Sequence, residues 1–325
     1  MKLIGELKSS LIIKRYPGNP ILSARDVPYK PALVFNAGVT KYQGKYVMAF
    51  RNDYGVAEEE RLFPYVTDIG LAFSDDGIRW QVEPKPCFSF KDEETRRAYD
   101  PRLTVIDGRC YMCFAVDAYY GTRGAIAVTD DFRRFEILCM TTAENRNLVL
   151  FPEKVNGMFV RLERPFVWSV PGGNIWIANS PDCRYWGDYN MLLRMQQVPF
   201  ANFKIGPAAP PVKTKTGWLT TFHAVDDDPS RGKNGWEDRW TKRYTAGIML
   251  LDLENPRRII GLYKEPLIAP EAPYEIDGGY RNNVVFASGM ILEDAGEVKI
   301  YYGAADTVEC LATADVGDLI RLYLT

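Results

Sequence analysis

Apolar and polar positions along this chain alternate in short runs, and the runs recur. A glycine turn followed by an apolar stretch ending in aspartate occurs five times: GKYVMAFRND (44–53), GRCYMCFAVD (108–117), GNIWIANSPD (173–182), GWLTTFHAVD (217–226) and GEVKIYYGAAD (296–306). The glycine-to-aspartate separation is nine residues in four copies and ten in the last. Most copies are followed by a second run with an acidic turn: LAFSDDGIRW (71–80), AIAVTDDFRRF (125–135), IMLLDLENPRRI (248–259) and CLATADVGDLI (310–320). In the third copy, NSPDCRYW overlaps the first motif. A third run precedes each glycine, at 35–40, 100–106, 163–168, 210–214 and 282–292. Short apolar runs bounded by glycine and acidic turns read as strands, and no long helical period is present. Five strand-rich units averaging about 65 residues predict an all-β, five-bladed β-propeller, with residues 1–325 as a single domain.

In a propeller the first strand of each blade lines the central channel, so the five strand entries should meet at one mouth. Those entries are Asn36, Asp100 with Arg102, Glu163 with Arg164, Lys213, and Asn282 with Asn283. A polar and charged set there predicts a functional site.

Composition narrows its chemistry mainly by exclusion. Forty basic residues against 42 acidic ones leave no polyanion-binding surface, so no nucleic-acid partner is expected. No stretch approaches the roughly 18 apolar residues of a membrane span, and MKLIGELKSSLIIKRYPGNP lacks a cleavable leader pattern. A cytoplasmic protein with reduced thiols is the expectation. Cys110 and Cys113 have CxxC spacing, but a strand sends them to opposite faces, as core residues. One histidine, His223, excludes His-rich metal sites, and no GxSxG, P-loop or GxGxxG motif is present.

Asp100, between Tyr99 and Pro101, is either a turn former or a proton donor. Ordinary glycosidases need two carboxylates, yet the other candidates are cations and donors: Arg146, Arg164, Lys213, His223 and Tyr244. Guanidinium pairs and a lysine suit phosphate. Phosphate arrives ionised, so as a nucleophile it needs no general base. Each residue also has a plainer reading, with Arg164 in a structural ion pair, Lys213 at the surface, and His223 and Tyr244 packed in the core.

The stretches AYDPRLTVIDG, ENRNLVLFPEKVNGMFVRLERP, IWIANSPDCRYWGD, KIGPAAPPVKTKTGWLTTFHAVD, AGIMLLDLENPRRIIG, PYEIDGGYRNNVVF and IYYGAADT resemble glycoside hydrolase family 130. These are inverting β-mannoside phosphorylases on five-bladed propellers. The resemblance implies that Asp100 is the general acid, acting through the mannose 3-hydroxyl. It implies that Arg146, Arg164, Lys213, His223 and Tyr244 hold phosphate, and that Asn36, Arg51 and Asp277 hold sugar hydroxyls. ENRN and RLERP resemble the 4-O-β-D-mannosyl-D-glucose phosphorylase branch, which implies cleavage of β-1,4-mannosylglucose to α-mannose 1-phosphate and glucose. One departure is Ala287, where proline is commoner, and it should touch packing more than chemistry. No metal or organic cofactor is implied; inorganic phosphate is a co-substrate, and a homo-oligomer is the expected assembly. Rival readings are a phosphorylase of mannooligosaccharides or mannosyl-N-acetylglucosamine, a hydrolase with Asp277 or Glu163 as base, and a non-catalytic sugar-binding propeller. The charged loop 226–240 reads as a lid, an oligomer contact or solvated surface.

Overall fold

The computed structural model describes residues 3–56, 65–167, 172–232 and 240–323. It begins with a two-residue strand, β1 (Lys14–Arg15), whose partner lies at the other end of the chain. Blade 1 follows as β2 (Leu33–Tyr42), β3 (Lys45–Val56), β4 (Tyr65–Ser74) and β5 (Gln81–Val82). Blade 2 is β6 (Thr95–Ile106), β7 (Arg109–Ala118), β8 (Gly121–Thr129) and β9 (Glu136–Met140). Blade 3 is β10 (Asn145–Leu150), β11 (Phe159–Pro165), β12 (Ile175–Ser180) and β13 (Gly187–Leu193). Blade 4 has a split inner strand, β14 (Lys204–Pro207) and β15 (Val212–Lys213). It continues with β16 (Trp218–Asp227), β17 (Lys242–Leu251) and β18 (Ile259–Leu262). Blade 5 is β19 (Val285–Leu292), β20 (Glu297–Ala304) and β21 (Val308–Asp315), and β1 pairs antiparallel with β21 as its fourth strand. The helices α1 (Pro273–Ile276) and α2 (Val316–Arg321) are short, and no helix among the described residues is long and apolar enough to cross a membrane.

The core shows how the blades are placed. Each of the five large apolar clusters joins two neighbouring blades: 1 with 2, 2 with 3, 3 with 4, 4 with 5, and 5 with 1. Both faces of every blade are therefore buried, and the ring closes as a five-bladed propeller. Cys110 lies in the cluster between blades 1 and 2 and Cys113 in that between 2 and 3, on opposite faces as the strand period requires. Ala287 is a core residue between blades 4 and 5. Polar bonds stitch neighbouring blades together: Thr221 Oγ1 in β16 donates to Ala287 O in β19 at 3.0 Å, and Ser288 Oγ in β19 to Ala37 O in β2 at 2.8 Å.

The third repeat is phased differently from the sequence expectation. GNIWIANSPD forms the third strand of its blade, not the second; the second is β11, entered through the turn at Asn156–Gly157. Glu163 and Arg164 thus end a second strand, and the entry strand of blade 3 is β10. The acidic turns confirm this phase. After the third strand of each blade an aspartate side chain accepts two backbone N–H bonds: Asp76, Asp131, Asp182, Asp252 and Asp315. These donors hold the carboxyls of Asp76, Asp131, Asp182 and Asp252 below their usual value. A carboxyl depressed on folding contributes stability above its unfolded pKa, near 4, that is lost as pH falls through the folded value. The urea midpoint should therefore drop below about pH 4, and less steeply in an Asp131→Asn, Asp182→Asn variant, whose amide oxygens still accept but do not titrate.

Candidate active site

Three inner strands carry the same irregularity at the same end. Asn36 in β2, Asp100 in β6 and Asn147 in β10 have φ of 54°, 53° and 58°, each where the strand register slips. A bulge turns its residue out of the ladder, and Asn and Asp tolerate the left-handed region better than most residues. All three line one cavity of about 460 Å³. Gly303 makes room for this: a Cβ there would lie 2.3 Å from Asn36 Oδ1.

One part of the cavity is built around Asp100. Its Oδ1 accepts from Asn36 Nδ2 at 3.1 Å and Arg51 Nη1 at 3.4 Å. Arg51 is fixed in turn by Asp53, with Nε to Oδ1 at 3.0 Å and Nη2 to Oδ2 at 2.6 Å, and lies over the rings of Phe35 and Tyr99. The repeat aspartates share this task. Asp117 holds Arg97 at 2.8 Å, Asp226 holds Arg231 and Arg243 at 2.8 Å, and Asp306 holds Arg281 at 3.1 Å. Burial pushes Asp306 up, against the pull of Arg281 and Arg51.

Another part is cationic. Arg146, Arg164, Lys204 and Lys242 line it, and none forms an ion pair with a carboxylate among the described residues. Arg146 Nη1 donates to Tyr99 OH at 3.0 Å, and that hydroxyl donates to Asp117 Oδ1 at 2.8 Å. Arg164 Nη1 lies 3.3 Å from His223 Nε2. A guanidinium has no acceptor, so Nε2 accepts and the ring proton sits on Nδ1. Burial, then Arg164 and Lys204, push His223 well below its usual pKa, so the ring is neutral. Burial and Arg146 draw Arg164 down to about 9, and burial with Arg164 and Arg146 holds Lys204 well below the usual lysine value. Burial raises Tyr244, which remains a phenol able to donate. Arg164 and Lys204, drawn down by burial and by their cationic neighbours, form with Arg146 a receptor for an anion.

Tyr244 stacks on Trp240 and His223, with centroids at 5.9 Å and 6.1 Å, and Arg281 lies over Trp240 at 4.7 Å. Gly206 is needed beside this stack, since a Cβ there would stand 2.5 Å from His223 Cε1.

The cavity thus brings together Asp100, Asn36, Arg51, Arg146, Arg164, His223 and Tyr244. It does not include Lys213, which is half-exposed, ion-paired with Glu153 and over the Trp218 ring. The lysine in the cavity is Lys204, in the other half of the same split strand. Asp277 is exposed, bonds the N–H of Gly278, and is not in the wall; Tyr280 and Arg281 are. Glu163 is buried against Arg161, 2.7 Å from its Nε, on the strand face opposite Arg164, and does not reach the cavity as a base. Arg102 points inward, donating to Ala208 O at 2.6 Å. Asn282 bonds Gly279 N at 3.1 Å instead of lining the wall. Of the loop at 226–240, residues 233–239 lie outside the described set. The sequence reading missed Lys204, Lys242, Arg281, Asp306 and Asn147. Asp306 and Asn147 carried a signal: one ends the fifth repeat, and the other repeats the bulge position of Asn36 and Asp100.

Comparison with known proteins agrees with this geometry. The chain is 32% identical to a 1,2-β-oligomannan phosphorylase of Thermoanaerobacter sp. (strain X514), over 94% of this chain and 98% of the relative. It is 30% identical to a β-1,4-mannooligosaccharide phosphorylase of Ruminococcus albus, over 95% and 90% of the two chains. Among solved structures, a β-1,2-mannobiose phosphorylase from Listeria innocua in complex with β-1,2-mannobiose superposes with a TM-score of 0.84 at 27% identity, over 96% of this chain and 99% of that one. The family model for β-1,4-mannooligosaccharide phosphorylase matches residues 12–324. The chain therefore belongs to glycoside hydrolase family 130, the family of that description.

Proposed function

We propose that the protein is an inverting phosphorylase of β-linked mannosides. The observation that carries this reading is the set of buried cations without carboxylate partners in the cavity that holds Asp100. A hydrolase must deprotonate water and needs a second carboxylate free to do so; Glu163 and Asp277 are elsewhere, and the cavity's other carboxylates, Asp117 and Asp306, are engaged by Arg97 and Arg281. In the proposed step a phosphate oxygen held by Arg146, Arg164 and Lys204, with His223 and Tyr244 as neutral partners, attacks the mannose anomeric carbon. The glycosidic bond breaks, and the departing oxygen takes a proton that Asp100 supplies through a sugar hydroxyl. One displacement inverts the configuration and gives α-mannose 1-phosphate. In synthesis Asp100 takes the proton back. Arg51 and Asn36 hold its Oδ1 in place. No metal or organic cofactor enters this scheme, and a cytoplasmic location is part of the proposal.

For the leaving sugar, the manno-oligosaccharide substrates named for both curated relatives favour mannose. The ENRN and RLERP motifs favour a second reading, glucose as in 4-O-β-D-mannosyl-D-glucose. Release of mannose 1-phosphate from β-1,2-mannobiose, β-1,4-mannobiose, β-1,4-mannotriose and mannosylglucose tests both, the largest kcat/KM naming the acceptor. Cleavage should stop when phosphate is removed and resume when it returns. Rapid formation of free mannose in phosphate-free buffer would make the enzyme a hydrolase.

A further inference from the structure

A second cavity, of about 540 Å³, lies between the outer strand of blade 2 and the outer part of blade 3. It sits behind the β10–β11 hairpin. Neighbouring strand residues face opposite ways, so Arg146 and Arg164 look into the active-site cavity while Asn145 and Arg161 line this one. Two polar atoms in its wall are buried without a partner among the described residues: Asn145 Oδ1, an acceptor, and Trp176 Nε1, a donor. Asn145 is 7% exposed. Such atoms are costly to leave unmade in a native interior.

The wall chemistry selects the ligand class. Its two arginines are already neutralised, Arg161 by Glu163 at 2.6 Å and Arg184 by Glu136. The cavity therefore lacks the uncompensated charge that marks the first one. The remaining surface is aromatic, from Trp176, Trp186 and half-exposed Tyr189, with the Arg161 guanidinium 4.2 Å from the Trp186 ring centre. A neutral pyranose offers an apolar face to such rings and hydroxyls that both donate and accept. We propose that this cavity is a second binding site for a neutral pyranose unit of an oligosaccharide, separate from the active site. It does not depend on which mannoside is cleaved.

The test is the stoichiometry of β-1,4-mannobiose and methyl β-D-mannopyranoside binding to the full chain by calorimetry in phosphate-free buffer. Two sites per chain are expected. Trp186→Ala and Tyr189→Ala should each remove one, leaving phosphate-dependent turnover of a small mannoside near wild type. Tyr189 donates only to Trp186 O and is half-exposed, so its removal spares the fold if Trp186→Ala does not. Trp176→Phe keeps the ring and deletes the donor, and should weaken the second site by roughly three- to tenfold. A single site in the wild type, or two sites unchanged by the Tyr189 and Trp186 substitutions, overturns the proposal. Absence of turnover with intact second-site binding would count against the phosphorylase reading alone.

Discussion

Asp100→Asn is expected to fold normally and to lose phosphorolysis and synthesis together, by about 10²–10⁴-fold, the usual range for general acid catalysis. The fold should survive because asparagine also tolerates the φ of 53° and keeps an oxygen for Asn36 Nδ2 and Arg51 Nη1. What it lacks is a transferable proton. Both directions fail together because the group that protonates the leaving oxygen in one direction deprotonates the acceptor in the other. Initial rates in both directions, beside a thermal melt, make the comparison. A folded variant that turns over near the wild-type rate would remove Asp100 from the mechanism. Asp100→Ala is a poorer probe, since it strands two donors and puts at φ 53° a residue that tolerates the left-handed region less well than Asp or Asn.

Lys204→Met should make the free protein more stable and nearly useless with phosphate. Desolvation first, then the charges of Arg164, Arg146, Lys242 and Arg281, hold the Lys204 pKa well below 10.5. The folded chain thus binds fewer protons there than the unfolded chain. Its contribution to stability climbs as pH rises from the folded value towards 10.5. Methionine removes both the slope and the desolvation cost. A gain of about 1 kcal/mol would raise Tm by roughly 1–2 °C in a chain of 325 residues. Phosphate use should fall tenfold or more, as for the loss of a charge-assisted hydrogen bond at about 1.5–3 kcal/mol. Wild-type Tm should rise with added phosphate or sulfate, and the variant's much less. Lys213→Met, at an exposed residue already paired with Glu153, should alter neither quantity. If Lys213→Met abolishes phosphate use and Lys204→Met does not, the anion site has been placed on the wrong lysine.

That pair of lysines also shows where sequence reading reaches its limit. The propeller was legible because glycine turns and period-two apolar runs are local, and they repeat. Blade 3 was misphased for a local reason too: β11 ends in Glu-Arg-Pro while β12, a strand later, happens to match the glycine-to-aspartate spacing. Asn36, Asp100 and Arg164 could be placed at the channel mouth from their positions in the repeats, whereas Arg146 was a candidate with no such place. Lys204 and Lys213 flank one interrupted strand, and nothing local says which half meets Arg164. Only packing against blade 3 decides it, through Ile205 N on Gly173 O at 2.9 Å. Tyr280 and Arg281 lie in an aperiodic connection after α1, where no period gives direction. The repeat aspartates were visible as punctuation, but their work of holding rim arginines appears only once the rim exists.

The pairing of β1 with β21 sets a schedule for synthesis. Lys14 and Arg15 leave the ribosome roughly 300 residues ahead of their partners Thr313 and Ala312. At about 5–20 residues per second the wait is on the order of 15–60 s. Through most of it β1 has no blade 5 to join, and Arg15 has no Glu275, its buried partner at 2.8 Å. Asp306 and Arg281, on the rim beside Asp100, arrive within this same final stretch. A nascent chain should therefore be inert towards sugar and phosphate until β21 has emerged, and loss of Lys14 and Arg15 should be felt at the catalytic mouth.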